Sequence, residues 1–269
     1  MVVEVIKNKI AESSALHELV DKLQQGQSVN VKGLAGSLKA FVLAHLFENL
    51  NSPILYVSHQ AEEAESVKED LEILLGREKI AFLPSREHLP YRKRDSDVVT
   101  KTQQMEALEK LVEQNRLLIV TSARGLAHKV PAPSSLRQNK LSFQVGKQLD
   151  FEATISKLAL MGFSREPQVE QVGEMSVRGG IVDIFPYSRD HPVRIEFFGD
   201  KVESIREFDV ATQRSTGSIQ TITIYPQVTD EFSEQKLISL PEYLDGQAVV
   251  FLDEPNLISD SIEELWEES

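Results

Sequence analysis

A glycine-containing loop with one lysine is the first feature of this chain whose residue types could do chemistry. The loop reads GLAGSLKA over residues 33–40, follows a short strand-like stretch at 28–31, and leads into a segment with helical apolar spacing. A strand, a glycine loop with a lysine and a helix form the layout of a phosphate-binding P-loop. Gly33 and Lys39 match this layout, and Gly36 lies between them. The loop is therefore a candidate nucleotide site.

Two residues of the loop depart from what phosphate and metal binding need. Leu38 stands where a second glycine would let the backbone wrap the phosphates, and Ala40 stands where a hydroxyl would bind Mg²⁺. The apolar run AVVFL ends in Asp253 and Glu254, which resembles the acidic pair that holds Mg²⁺ in nucleotide hydrolases. Without a competent loop these acids have no nucleotide to serve. We expect a degenerate site with no catalytic residues, no metal and no cofactor.

A second group of candidate residues lies on a predicted hairpin. Residues 193–198 and 201–206 have the composition of short strands, and the Gly-Asp pair between them is a strong two-residue turn signal. Period-2 geometry puts Arg194 and Phe198 on one face of the first strand. An aromatic side chain beside an arginine is typical of protein-interaction hot spots. The alternative is a sheet covered on both faces, in which Phe198 belongs to the core.

The elements that must position these residues are of two kinds. Up to about residue 125 strand and helix patterns alternate, which predicts an α/β fold with a parallel sheet layered with helices. Residues 140–210 combine one helix, with Asp150 as its N-cap, and several short strands, which predicts a small α+β domain. Strand patterns return after residue 215.

Composition excludes several function classes. A chain of 269 residues can form two or three domains with their own cores. The net charge of −13, from 29 basic and 42 acidic residues, argues against a duplex-DNA clamp, because phosphate affinity depends on Lys and Arg. There is no cysteine, so disulfides and thiolate sites are excluded. The six histidines show no metal-ligand spacing. No apolar run reaches membrane-spanning length, and we expect a cytoplasmic protein.

The run VRGGIVDIFP, followed by PVRIEFFGDKVESIREFD and TQRS, resembles domain 2 of the UvrB family of nucleotide excision repair. It is even more similar to the same module near the N-terminus of the bacterial transcription-repair coupling factors, the Mfd family. In both families this domain docks UvrA. The resemblance therefore implies that UvrA is the partner of this chain, and that Arg178, Arg194 and Phe198 correspond to UvrA contacts. Arg189, in the adjacent loop, is a further candidate.

The resemblance also implies a domain organisation. Residues 1–130 would form a helicase-like α/β domain with a degenerate P-loop, residues 131–213 the UvrA-docking domain, and residues 214–269 a return segment to the first domain. The run Pro-Ala-Pro-Ser-Ser at 131–135 predicts the first boundary. A fragment of residues 138–212 is expected to fold alone.

The parent family binds ATP and Mg²⁺ at a separate C-terminal motor and engages RNA polymerase and DNA through other parts. The resemblance therefore implies a module without ATPase activity that recruits UvrA to stalled RNA polymerase in transcription-coupled repair. Truncating Arg178 or Arg194 is expected to weaken UvrA binding while leaving stability nearly unchanged, since exposed arginines contribute little to folding.

Two alternatives from other classes remain open at this stage. One is an ATP-dependent, helicase-like repair enzyme of the UvrB type in which the variant loop still works. The other is a DNA-binding module that uses the basic run Arg92, Lys93 and Arg94, although three adjacent charges on a loop are more often simply solvated.

Overall fold

The computed structural model describes residues 2–85, 95–227, 237–244, 246 and 248–267. Within these residues the helices are α1 (Val2–Ala11), α2 (Ser14–Gln24), α3 (Leu38–Asn49), α4 (Ala61–Leu75), α5 (Asp95–Glu113), α6 (Ala123–Ala127), α7 (Pro133–Asn139), α8 (Phe151–Leu160), α9 (Leu240–Tyr243) and α10 (Pro255–Glu267). The strands are β1 (Ile54–Ser58), β2 (Ile80–Leu83), β3 (Leu118–Ser122), β4 (Val130–Pro131), β5 (Leu141–Gln144), β6 (Ser164–Arg165), β7 (Glu174–Arg178), β8 (Ile181–Ile184), β9 (Val193–Phe198), β10 (Lys201–Phe208), β11 (Ser215–Ser218), β12 (Thr221–Ile224), β13 (Leu237–Ile238) and β14 (Val249–Leu252).

The chain divides into two compact units. Among the described residues the first unit takes in 2–85, 113–130 and 238–267, and the second takes in 95–112, 131–227 and Leu237. None of the described helices is both long and apolar enough to cross a bilayer.

The first unit is organised around a parallel sheet with the strand order β14-β1-β3-β2. Every residue of β1, β2 and β3 is buried. Strands that are apolar on both faces need helices on both sides, as the alternation of strand and helix predicted. The mixed α/β fold with a parallel sheet is therefore confirmed.

The strand predicted at 28–31 does not form. Residues 27–35 contain neither helix nor strand, and Val29 and Val31 are exposed. A short strand persists only where another strand satisfies its backbone groups, and in the described part of the chain none pairs with this segment. Helix α3 thus begins at Leu38 without the preceding strand of a P-loop.

The second unit contains a larger, mostly antiparallel sheet with the strand order β11-β10-β9-β8-β7-β6. Its hairpins turn at Gly179-Gly180 and at Gly199-Asp200, and Gly179 and Gly199 adopt φ of +59° and +58°. Glycine reaches this left-handed region without a Cβ clash. Helix α8 packs through Leu158 on the core side of the sheet, and Asp150 caps it by accepting a hydrogen bond from the Ala153 N–H at 2.8 Å.

The limits of the second unit differ from the predicted 131–213. Residues 214–227 belong to it, because β11 pairs with β10 and β12 pairs with β5 in an antiparallel ladder. Residues 95–112, predicted within the first domain, also belong to it. In addition, the run 131–135 is no open linker, since Pro133 begins α7.

A fragment that ends at residue 212 is therefore no longer expected to fold. It lacks β12, whose Ile222 and Ile224 are buried in the core of the second unit and whose backbone pairs with β5. The buried cluster that contains β12 is built from residues between Leu141 and Ile224, all of which a fragment of residues 138–227 retains. We therefore expect residues 138–227 to melt cooperatively by circular dichroism and residues 138–212 to show no cooperative transition. Equal melting of the two fragments would contradict this assignment of β12.

Candidate functional site

One face of the large sheet in the second unit carries a row of charged side chains. Arg194 on β9 lies directly opposite Asp183 on β8 and Arg206 on β10. Ile181 on β8 lies opposite both Arg178 on β7 and Glu196 on β9. Residues that pair directly across strands share a face, whereas Val193 and Ile195 point into the core. We call this surface the outer face; it is defined by Arg178, Asp183, Arg194, Glu196, Phe198 and Arg206.

Asp183 is the centre of the outer face. Its side chain is only 2 % exposed, and it accepts three hydrogen bonds from two arginines. Arg194 donates from Nε to Oδ1 at 2.7 Å and from Nη2 to Oδ2 at 2.8 Å, while Arg178 donates from Nη2 to Oδ2 at 2.7 Å. A buried carboxylate is stable only when it is paired and hydrogen-bonded, and this geometry meets that condition.

The two arginines differ in how much of them a partner can reach. Arg194 is 17 % exposed, and its guanidinium carbon lies 4.8 Å from the centroid of the Phe208 ring. The hydrogen bond to Asp183 raises the pKa of Arg194, so it stays charged. Arg178 is 50 % exposed. Arg194 is therefore mainly an internal anchor, and the expectation that it can be truncated without loss of stability is revised.

A second ion pair continues the row. Glu196 accepts a hydrogen bond from Arg206 Nη2 and another, at 2.7 Å, from the Ser204 hydroxyl. With Arg178, Arg194 and Asp183, the row holds three arginines and two carboxylates, which leaves a net charge of +1. The outer face is thus a fixed and slightly positive surface.

Phe198 is the exposed aromatic of the outer face. It is 78 % exposed at the end of β9. The Gly179-Gly180 turn packs tightly against this end of β9, where the Phe197 N–H donates to the Gly180 carbonyl at 2.7 Å. A Cβ on Gly180 would stand only 2.6 Å from the Phe197 oxygen. The core alternative for Phe198 is therefore wrong, and its ring is available to a partner.

Arg189 pairs with a carboxylate outside this row. Its Nη1 is 3.3 Å from Glu207 Oε1, and Glu207 is the register partner of the core-facing Val193. The structure therefore joins Arg178 and Arg194 on one carboxylate and leaves Arg189 on a different one.

Sequence reasoning missed Asp183, although a signal was present. In the strand IVDI, period-2 alternation puts Asp183 on the opposite face from Val182 and Ile184, which is the face of Arg194. An acidic residue between apolar strand residues also needs a cationic partner if it is buried.

The degenerate loop of the first unit contains a different ion cluster. Lys39 Nζ donates to Glu63 Oε1 and, at 2.6 Å, to Asp253 Oδ2, which also accepts a hydrogen bond from the Tyr56 hydroxyl at 2.7 Å. Lys39 is 11 % exposed. The ammonium that a P-loop offers to phosphate is therefore already bound by two carboxylates.

The other residues of the predicted nucleotide site do not join this cluster. Gly33 and Gly36 are exposed, with φ of +84° and +56° and no neighbour that would meet an added Cβ. Glu254 is exposed, with φ of +57°. The structure brings together Lys39 and Asp253 but provides no cradle of glycine backbone around them.

Charge coupling within the cluster is visible in the pKa values. Burial acts to raise the pKa of Asp253, but the hydrogen bonds from Lys39 and Tyr56 outweigh it and lower that pKa. Burial acts to lower the pKa of Lys39, but Asp253 and Glu63 outweigh it and raise that pKa. Burial and the Asp253 charge raise the pKa of Tyr56 far above its usual value. Lys39 and Asp253 therefore both stay charged near neutral pH.

We expect no specific nucleotide binding by this chain, because ATP would have to displace two bonded carboxylates from Lys39 without a backbone cradle to compensate. The measurement is an equilibrium titration with a fluorescent ATP analogue and Mg²⁺. A dissociation constant in the micromolar range that is lost in Lys39→Ala would contradict this expectation.

Two further predictions concern the basic run and metal binding. The basic run Arg92, Lys93 and Arg94 lies outside the described residues. Among the residues that are described, no group of three or more His, Asp or Glu side chains has the arrangement of a metal site.

The sequence is similar to known proteins over both the outer face and most of the rest of the chain. The family model of the UvrB interaction domain matches residues 141–229, which include the whole outer face. The transcription-repair-coupling factor of Myxococcus xanthus is 35% identical over 225 residues, covering 80% of this chain. Those of Bacillus subtilis (strain 168) and Staphylococcus aureus (strain MSSA476) are 28% and 27% identical, covering 82% and 89% of this chain.

The chain spans only about a fifth of the length of these relatives, 19% in the first two and 20% in the third. The resemblance inferred from the run that begins at Val177 is nevertheless confirmed by two independent comparisons. Residues 141–229 match the UvrB interaction domain, and over most of its length the chain is similar to transcription-repair-coupling factors.

Proposed function

We propose that this chain is a UvrB-like module that docks UvrA through the outer face of its second unit. The observation that carries the proposal is the position of that face inside the UvrB interaction domain, where the same face carries an exposed Phe198 and a half-exposed Arg178. Aromatic and arginine side chains surrounded by ordered contacts are typical hot spots of protein interfaces.

The parent protein, in this proposal, acts as a transcription-repair coupling factor. It recruits UvrA to stalled RNA polymerase in transcription-coupled nucleotide excision repair, and it works in the cytoplasm, where DNA and polymerase are. ATP with Mg²⁺, RNA polymerase and DNA are bound by other parts of that protein. The similarity to coupling factors over 80% of the chain supports this assignment.

The first unit, in the same proposal, is a helicase-type domain that has lost its ATPase. Its parallel sheet and the position of Lys39 at the start of α3 support the relationship. The carboxylates of Glu63 and Asp253 on that lysine support the loss of nucleotide binding. This cluster disfavours the alternative of an ATP-dependent helicase-like enzyme.

The experiment is a pull-down of purified UvrA by the immobilised chain and, in parallel, by its Phe198→Ala variant. We expect UvrA to be retained by the unaltered chain and largely lost from the variant, because the exposed ring contributes little to folding. Equal retention by both proteins would place the docking surface elsewhere, and no retention by either would contradict the proposed function.

A further inference from the structure

Arg178 is held in one place by a residue that no partner could reach. Asp183 is 2 % exposed, so it does not itself offer a surface to another protein. Its Oδ2 accepts Arg178 Nη2 at 2.7 Å, while the side chain of Arg178 remains 50 % exposed. One N–H of the guanidinium is thus fixed internally and the others remain for a partner.

The fixing residue is itself fixed. Arg194 bonds both oxygens of Asp183, at 2.7 and 2.8 Å, and is mostly buried against Phe208. Asp183 therefore cannot rotate away from Arg178 without breaking the pair with Arg194. The order of support runs from Arg194 to Asp183 to Arg178.

We propose that Asp183 is a positioning residue that presents the Arg178 guanidinium to a carboxylate of UvrA; this inference rests on the proposed UvrA docking. A free arginine loses much side-chain freedom when it is captured by a partner, and a pre-oriented one has already lost it. The remaining N–H groups of a planar guanidinium fit a carboxylate in a forked geometry that lysine does not reproduce. Asp183 thus raises affinity without touching the partner.

A double-mutant cycle on the full chain tests this role. Arg178→Ala, Phe198→Ala and Asp183→Asn are made singly, and Asp183→Asn is combined with each of the other two. UvrA affinity is measured for every variant. We expect Asp183→Asn alone to weaken binding about tenfold, and to weaken it about threefold or less when Arg178 is already alanine.

The Phe198→Ala background is the matched control. Phe198 has no bond to Asp183, so the loss caused by Asp183→Asn is expected to remain about tenfold there. A general weakening of the fold would reduce binding equally in both backgrounds. Equal losses in the two backgrounds therefore overturn the positioning role.

Substituting the buried Asp183 can also destabilise the fold, so a second variant at an exposed position tests the same inference. Arg178→Lys retains the charge at a half-exposed position but not the forked geometry. We expect it to weaken UvrA binding at least about fivefold, while binding within about twofold of the unaltered chain overturns the inference. If the unaltered chain does not bind UvrA, the proposed function is overturned together with this inference. If Phe198→Ala loses UvrA binding while Arg178→Lys binds UvrA fully, this inference alone is overturned.

Discussion

Arg178→Ala and Phe198→Ala should each weaken UvrA binding at least about tenfold, which is about 1.4 kcal/mol, and leave the melting temperature of the chain nearly unchanged. Both side chains are at least half exposed, so their removal exposes little new surface and leaves no buried group without a partner. Asp183 keeps its two bonds to Arg194 when Arg178 is truncated. The measurement is UvrA titration by calorimetry beside a thermal melt.

Arg194→Ala is the contrasting variant. It removes both bonds that hold the buried Asp183 and the packing on Phe208, so we expect a lower melting temperature together with weaker UvrA binding. If Arg178→Ala lowered the melting temperature as much as Arg194→Ala, Arg178 would be part of the fold rather than of the docking surface.

Lys39→Met is expected to destabilise the first unit by about 2 kcal/mol, or roughly 5 °C in melting temperature. The substitution keeps most of the apolar stem but leaves Asp253 and Glu63 without their cation in a partly buried place. Removing one partner of a fully buried ion pair would lower the free energy of unfolding further, but Glu63 is partly exposed, which reduces the loss. Thermal melts near neutral pH measure the effect.

The destabilisation should depend on pH in a defined direction. The pKa of Asp253 is lowered in the folded chain from 3.8, so its contribution is present above that value and is lost as pH falls through the lowered pKa. The pKa of Lys39 is raised from 10.5, so its contribution is present below that value and is lost as pH rises through the raised pKa. The difference between Lys39→Met and the unaltered chain should therefore shrink in strong acid.

Lys22→Met is the matched control for the lysine substitution. Lys22 forms an exposed pair with Glu18 on α2, and such pairs contribute little. We expect its melting temperature to stay within about 1 °C of the unaltered chain. Equal effects of Lys39→Met and Lys22→Met would mean that the cluster around Lys39 does not stabilise the fold.

Much of this structure was predictable from local pattern, because most strands and helices carry their own signals. The hairpin at Gly199-Asp200, the cap at Asp150 and the apolar strands β1, β2 and β3 follow from turn chemistry, capping and burial. The shared face of Arg194 and Phe198 follows from period-2 geometry.

The features that were missed depend on partners distant in sequence. The stretch 28–31 has strand composition but no neighbouring strand among the described residues, and composition alone does not supply one. The second unit extends past residue 213 because β12 pairs with β5, about eighty residues earlier. The pairing of Lys39 with Asp253 likewise joins residues more than two hundred positions apart.

Amide hydrogen exchange of the chain with and without UvrA tests the central claim most directly, because it maps the docking surface without altering any side chain. UvrA should slow exchange in the hairpin turns at 178–181 and 198–201, next to Arg178 and Phe198, and leave the amides around Lys39 unchanged. Slowed exchange in the first unit, with no change at these two turns, would contradict docking through the outer face.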